Sequence, residues 1–324
     1  MVRSTEGALV PFDFAAVLDK IPELNELDLG ITVVSFPELI DSSDMHPGLW
    51  DDLGCIIHEN YDRYDGFVVL HGTDTMSYTA SALSYMFSGL DKPIILTGAQ
   101  IPIGHLRSDA RDNLITALQI ASAKEDGRPI IKEVALYFNF VLLRGNRSQK
   151  VRSSTFAAFE SQNYPILASS GIFIEYFRSN LLQAQEGRVA FRQGFDPRVV
   201  LIKIFPGLSK EAFQSCLNMD GLKGVVLETF GSGNTMIQAW LFEALSQAIA
   251  RGVVVYNISQ CSGGEVIQGR YASSKNLEDI GVISGGDITS EAAITKLMFL
   301  LANCTSVDEI RTKLALPVAG EMDA

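Results

Sequence analysis

Residues 67–76 read Phe67-Val68-Val69-Leu70-His71-Gly72-Thr73-Asp74-Thr75-Met76. Four apolar residues stop at a His-Gly-Thr-Asp cluster, and a helical pattern begins at once over 76–88. A short unbroken apolar run fits a strand buried on both faces. The polar cluster then lies at the carboxyl end of that strand and the amino end of a helix, where open α/β sheets take their ligands. Asp74 or Thr75 could serve simply as the helix N-cap. One cap does not need three side-chain oxygens and a glycine, so Thr73 and Asp74 are read as site residues.

The same pattern repeats outward. Strand-like apolar runs lie at 93–97, 133–138, 199–205, 224–230 and 252–259. Helical periodicity predicts helices over 107–124, 234–252 and 289–303, and Ser306 with Glu309 spells a capping box for a last helix. Strands alternating with helices argue for βαβ units and parallel sheets. The rhythm breaks over 176–197, a polar stretch with little apolar period that could hold a short hairpin. The expected architecture is α/β: an N-terminal parallel-sheet domain of flavodoxin-like or Rossmann-like type over 1–177, a connection over 178–198, and a smaller α/β domain over 199–324.

At 324 residues and 47% hydrophobic content, the chain can fill one large or two moderate cores. A formal net charge of -12 disfavours nucleic acid, which needs a basic face, and gives no attraction to an anionic membrane. Cys55, Cys216, Cys261 and Cys304 form no C-x-x-C pair, and His46, His58, His71 and His105 show no H-E-x-x-H spacing. Free thiols fit a reducing compartment. No signal-peptide pattern opens the chain, and no run of about 18 apolar residues interrupts it. These features lead us to expect a soluble cytoplasmic protein.

Other stretches carry candidate chemistry. Lys150 closes Arg144-Gly145-Asn146-Arg147-Ser148-Gln149-Lys150; a lysine withdrawn from water beside other cations can act as a base, whereas an exposed one is a solvated loop cation. Ser42 and Ser43, in Asp41-Ser42-Ser43-Asp44-Met45, offer hydroxyls and backbone N–H groups suited to a carboxylate, or form a plain turn. Asn234 ends Gly231-Ser232-Gly233-Asn234, where glycines let a backbone approach a ligand, or where Asn234 caps the next helix. Gln100-Ile101-Pro102 and Arg107-Ser108-Asp109 are assigned to loop and helix-start structure. Neither G-x-G-x-x-G after a strand nor G-x-x-x-x-G-K-[ST] occurs, so nucleotide binding lacks its signature.

Taken together, DSSDM at 41–45, YDGFVVLHGTDTMSYTASAL at 64–83, PIILTGAQIP at 93–102, RSDARDNL at 107–114, RGNRSQK at 144–150 and GSGN at 231–234 resemble the bacterial-type L-asparaginases, cytosolic type I branch. The resemblance reaches from the first residues to about residue 315. HGTDTM is specific; DSSDM and GSGN carry meaning only beside it. The resemblance implies hydrolysis of L-asparagine to L-aspartate and ammonia through a threonine-based acyl-enzyme, without metal or cofactor, with L-glutamine as a second candidate substrate. It implies that Thr73 and Lys150 are catalytic, that Ser42 with Ser43 holds the substrate α-carboxylate, and that Asp74 holds the α-amino group. It also implies that Asn234 reaches a neighbouring subunit's site, in a homodimer or homotetramer. Rival readings are a non-catalytic asparagine-binding protein and the amidase-like subunit of a tRNA-dependent amidotransferase; the acidic charge disfavours the latter.

Two departures stand out. The family opens with a strand ending in T-G-G-T-I-G, whose second threonine is taken as the nucleophile, and a mobile loop bearing a tyrosine follows. This sequence starts Met1-Val2-Arg3-Ser4-Thr5-Glu6-Gly7, like the stretch after that motif, and 7–14 holds no tyrosine. The expectation is a reading frame that continues upstream of Met1, which an intact-mass measurement tests; Thr5 is not a substitute nucleophile. Secondly, some type I members bind asparagine at an allosteric site through an arginine two residues before the aromatic of G-x-G-N. Glu228 stands there, so that contact is not expected.

Overall fold

The computed structural model describes residues 2–3, 9–10, 21–183, 189–269 and 272–323. Thr5 and most of the 7–14 region lie outside that set. Two compact units divide the chain: Met1–Ser161 with Pro165–Phe191, and Gln162–Tyr164 with Arg192–Ala324.

In the first unit, the helix α1 (Pro47–Glu59) precedes β1 (Phe67–Leu70), the strand that carries the opening sequence. Next come α2 (Met76–Met86), β2 (Ile94–Thr97), α3 (Ala110–Ser122) and β3 (Val134–Phe138). β1, β2 and β3 pair in parallel, with Phe67 opposite Ile94 and Ile94 opposite Val134. The expected parallel sheet covers only this half. β4 (Val141–Arg144), β5 (Ala168–Ser170) and β6 (Ile174–Tyr176) extend it antiparallel, in the order β6-β5-β4-β3-β2-β1. The reversal has a local cause. Only Asn139 and Phe140 separate β3 from β4, both in the left-handed region (φ 45° and 70°), and so short a link can join only antiparallel strands.

Helix α2 is buried on nearly every side. Small residues permit that, and the hydroxyls of Ser81 and Ser84 donate to carbonyls one turn back at 2.8 Å, so their burial leaves no orphan. A 3-10 turn at Gly145–Arg147 follows β4. A Cβ on Gly145 would come within 3.0 Å of the Val134 carbonyl and 3.2 Å of the Ala80 side chain. That close approach carries the chain from the sheet to the short strand Gln149–Lys150, paired with Phe159–Glu160.

The second unit holds a four-stranded parallel sheet in sequential order: β7 (Val199–Lys203), β8 (Gly224–Thr229), β9 (Val254–Ser259) and β10 (Ile283–Ser284). Helices α4 (Lys210–Leu217), α5 (Ala239–Ala250) and α6 (Ala272–Asp279) connect them, followed by α7 (Ser290–Asn303) and α8 (Val307–Leu314). Ile202, Val225, Leu227 and Val255 pack in one core with Phe213, Leu241 and Leu245 of α4 and α5. Beside α7, Gly224 leaves room for Leu297, which an added Cβ would meet at 2.7 Å. β2, β3, β8 and β9 are buried along almost their whole length, which fits the unbroken apolar runs seen in the sequence.

The predicted start of α5 at Asn234 is displaced to Ala239. Asn234 is not its cap: its backbone N–H and C=O both pair with Phe230 at 2.8 Å. The capping box at α8 forms with one arm shifted. Ser306 Oγ accepts from the Glu309 N–H at 3.2 Å, while Glu309 Oε2 reaches back to the Thr305 N–H at 3.0 Å.

Candidate active site

The site gathers at the carboxyl end of β1. There Lys150 Nζ donates to Thr73 Oγ1 at 2.8 Å and to Asp74 Oδ1 at 2.6 Å. The Lys150 side chain is 16% exposed and that of Asp74 64%, so a sheltered ammonium meets an open carboxylate. Thr75 does not cap α2 with its side chain. Its hydroxyl donates instead to the Ser42 carbonyl at 2.6 Å, tying the 41–45 turn to the start of the helix.

Ser42 itself is buried, and its Oγ has no hydrogen-bond partner among the described residues. It lies against Gly72, where a Cβ would meet Ser42 Oγ at 2.4 Å. Its donor and acceptor capacity is therefore not taken up by a neighbouring described side chain or carbonyl. Ser43 is turned outward, its hydroxyl and N–H both donating to Asp41 Oδ1 at 3.0 Å. The structure therefore brings Ser42, Thr73, Asp74 and Lys150 together, with Ser43 on the turn's exposed side. Asn234 belongs to the second unit, in a loop held by Ser259 Oγ donating to the Gly231 carbonyl at 2.6 Å.

Two neighbours went unread as site residues. His71 lies below the cluster, with Nδ1 2.7 Å from the Gly72 carbonyl and Nε2 2.8 Å from Thr79 Oγ1. The Trp50 indole N–H donates to the same Thr79 oxygen at 3.1 Å. Thr79 therefore gives its proton to Nε2, and Nδ1 carries the hydrogen that reaches Gly72. Burial holds this ring below its ordinary 6.5, in keeping with a neutral imidazole. Gln100 is the second, its Oε1 3.2 Å from Thr73 Oγ1. His71 opens the HGTDTM stretch and Gln100 lies in PIILTGAQIP, but the partners of each side chain are set by contacts that those stretches do not spell. Glu228, in the second unit, accepts from Ser290 Oγ at 2.7 Å and lies 3.5 Å from Lys203 Nζ.

Among the described residues, no group of three or more His, Cys, Asp or Glu side chains gathers as for a metal ion. No described helix is long and apolar enough to cross a membrane.

A hydroxyl, an ammonium and a carboxylate gathered at the edge of a parallel sheet suit a hydrolase of the α/β class. The chain belongs to the asparaginase family. Its residues 1–181 match the family described as Asparaginase, N-terminal, and 198–314 match the Glutaminase/Asparaginase C-terminal domain. L-asparaginase 1 of Escherichia coli K12 is 38% identical over 324 residues, covering 99% of this chain and 94% of its own. A crystal structure of L-asparaginase I from Vibrio cholerae O1 biovar eltor gives a TM-score of 0.90 at 40% identity, covering 99% of this chain and 95% of that one. The thermostable L-asparaginase from Thermococcus kodakarensis gives 0.88 at 32%, covering 100% and 95%.

Proposed function

We propose that this protein hydrolyses L-asparagine to L-aspartate and ammonia, with L-glutamine as the secondary substrate to test. The observation that carries the reading is Lys150 Nζ lying between Thr73 Oγ1 and Asp74 Oδ1, at 2.8 and 2.6 Å. In this reading Asp74 takes the substrate α-ammonium, since its carboxylate is open to solvent. The unpartnered Ser42 hydroxyl donates to the α-carboxylate, with Ser43 beside it. A threonine oxygen attacks the side-chain carboxamide, the C–N bond breaks, ammonia leaves, and water then cleaves the acyl-enzyme. Thr73 and Lys150 handle the protons: the lysine ammonium gives one to the leaving nitrogen and, left as the amine, takes up the one that the attacking group sheds. N–H groups in the first turn of α2 steady the developing oxyanion.

The reaction as drawn uses no metal or cofactor. We place the protein in the cytoplasm and infer a homodimer or homotetramer in which Asn234 completes a neighbour's site. A sensor that binds without turnover, or an amidotransferase subunit, is less favoured by the full-length similarity to L-asparaginases. Ammonia release from L-asparagine is the test, with calorimetry on the same sample. Heat of binding without ammonia would favour the sensor.

A further inference from the structure

We propose that Gln100 is a positioning residue for Thr73: it accepts the threonine hydroxyl's proton and thereby aims the oxygen's remaining lone pair into the site. The inference rests on the asparagine-hydrolysis reading and deepens it.

A proton inventory carries it. Lys150 Nζ is a donor, so Thr73 Oγ1 accepts there, at 2.8 Å. The threonine's single proton then needs an acceptor of its own. Gln100 Oε1 lies 3.2 Å away. Which amide atom faces Thr73 is settled by the other end of the side chain. Gln100 Nε2 donates to the Thr155 carbonyl at 3.0 Å, and a carbonyl can only accept. The amide is thus fixed with its oxygen toward the threonine. A distance of 3.2 Å is long for a hydroxyl donor, and such bonds often tighten only when substrate binds.

The backbone of Gln100 is pinned as well. Asp109 Oδ2 accepts from the Gln100 N–H and Oδ1 from the Ile101 N–H, both at 3.0 Å. Asn113 Nδ2 steadies that carboxylate at 3.2 Å and also donates to the Gly98 carbonyl at 2.9 Å. The reach of the Gln100 side chain is therefore set from behind. An oxygen whose proton is engaged by an acceptor is a better lone-pair donor, because linked hydrogen bonds polarise one another. With Lys150 on one lone pair and the proton on Gln100, the other lone pair has a single direction left.

The test is steady-state ammonia release from L-asparagine, with melting temperatures, for the parent, Gln100→Met, Gln100→Asn, Thr73→Ser and the pair Thr73→Ser with Gln100→Met. Methionine fills the space without an acceptor; asparagine keeps the amide but cannot span both partners. Losing one neutral hydrogen bond should lower kcat about three- to tenfold in both Gln100 variants, with KM within about twofold. Gln100→Met should cost more in the Thr73→Ser background, because serine lacks the β-methyl that restricts χ1. If one Gln100 variant fails to fold, the other carries the test. A folded Gln100 variant with parental kcat, or a Gln100→Met cost equal in both backgrounds, overturns the inference. A parent that releases no ammonia overturns the hydrolysis reading and this inference with it, whereas an active parent indifferent to Gln100 overturns the inference alone.

Discussion

Two lysine–carboxylate pairs in this molecule have the same 2.6 Å contact and opposite surroundings. Lys150–Asp74 lies at the edge of the first unit's sheet, with the carboxylate 64% exposed. Lys296–Glu321 lies inside the second unit, with both side chains 0% exposed. Lys296 Nζ also donates to the carbonyls of Leu314 at 3.1 Å and Leu316 at 2.7 Å. Glu321 accepts the N–H groups of Val318 and Ala319. Burial pushes the Lys296 ammonium below its ordinary range although Glu321 opposes it. The buried pair is saturated, so it can only hold the C-terminal tail. The open pair has spare capacity, so a substrate ammonium can compete for Asp74. Contact distance says nothing about function here; unused valence does.

The contrast can be broken most directly at Lys150. Lys150→Met should lower kcat for L-asparagine by about 10²–10⁴-fold, the usual cost of losing a general base. Its melting temperature should hardly move, because exposed pairs contribute only about 0–1 kcal/mol. A rate within a few-fold of the parent would make this pair as structural as the other.

Lys296→Met should do the reverse. Stranding Glu321 in the core typically costs about 3–5 kcal/mol, enough to lower melting of the second unit by about 10 °C or more. Turnover at temperatures where the variant stays folded should match the parent. Adding Glu321→Leu should restore part of the loss, which calorimetry would read.

Asp74→Asn is a milder intervention. It removes the charge that meets the substrate ammonium, so KM should rise by roughly tenfold, with a loss in kcat as well. Unchanged KM with reduced kcat would assign Asp74 to the lysine rather than to the substrate.

The smallest effect concerns pH. His71 is held below its ordinary 6.5 by burial, so the unfolded chain takes up a proton that the folded chain resists. Stability is then present above about pH 6.5 and lost as pH falls below it, at no more than about 1.4 kcal/mol per pH unit. His71→Asn should flatten that acid slope of the melting temperature. A slope identical to the parent's would assign the acid sensitivity elsewhere.

The parallel half of the first sheet and β7, β8 and β9 of the second were legible because buried parallel strands are unbroken apolar runs; β10, only two residues long, and the connecting helices α4 and α6 were not read. The antiparallel half of the first sheet was not legible either. Its first turn uses Asn139-Phe140, and a phenylalanine at positive φ gives no turn signal where glycine would have. Helix α1 was missed although Pro47 at its first turn is a fair signal; His46 at the N-cap makes no side-chain bond there to strengthen it. At the site, Thr73, Asp74, Lys150 and Ser42 came from motif and resemblance, and the fold brings them together. Gln100 was read as a loop residue. Its role depends on which way one amide faces, and that is decided by Thr155, 55 positions along the chain.

Crowding at Gly72 and Gly98 also limits which sequences can reach this site by mutation. A methyl group at Gly72 would strike Ser42 Oγ at 2.4 Å, and at Gly98 the His71 carbonyl at 2.3 Å. Every non-glycine codon adds at least that methyl group, so neither position has a neutral first step. In a saturation library selected for growth on asparagine as the nitrogen source, codons 72 and 98 should remain glycine. Gly30, with open space beside it, is free of that steric limit. Changes in specificity will therefore be found among the side chains around the strand end, not in the path of the backbone beneath them.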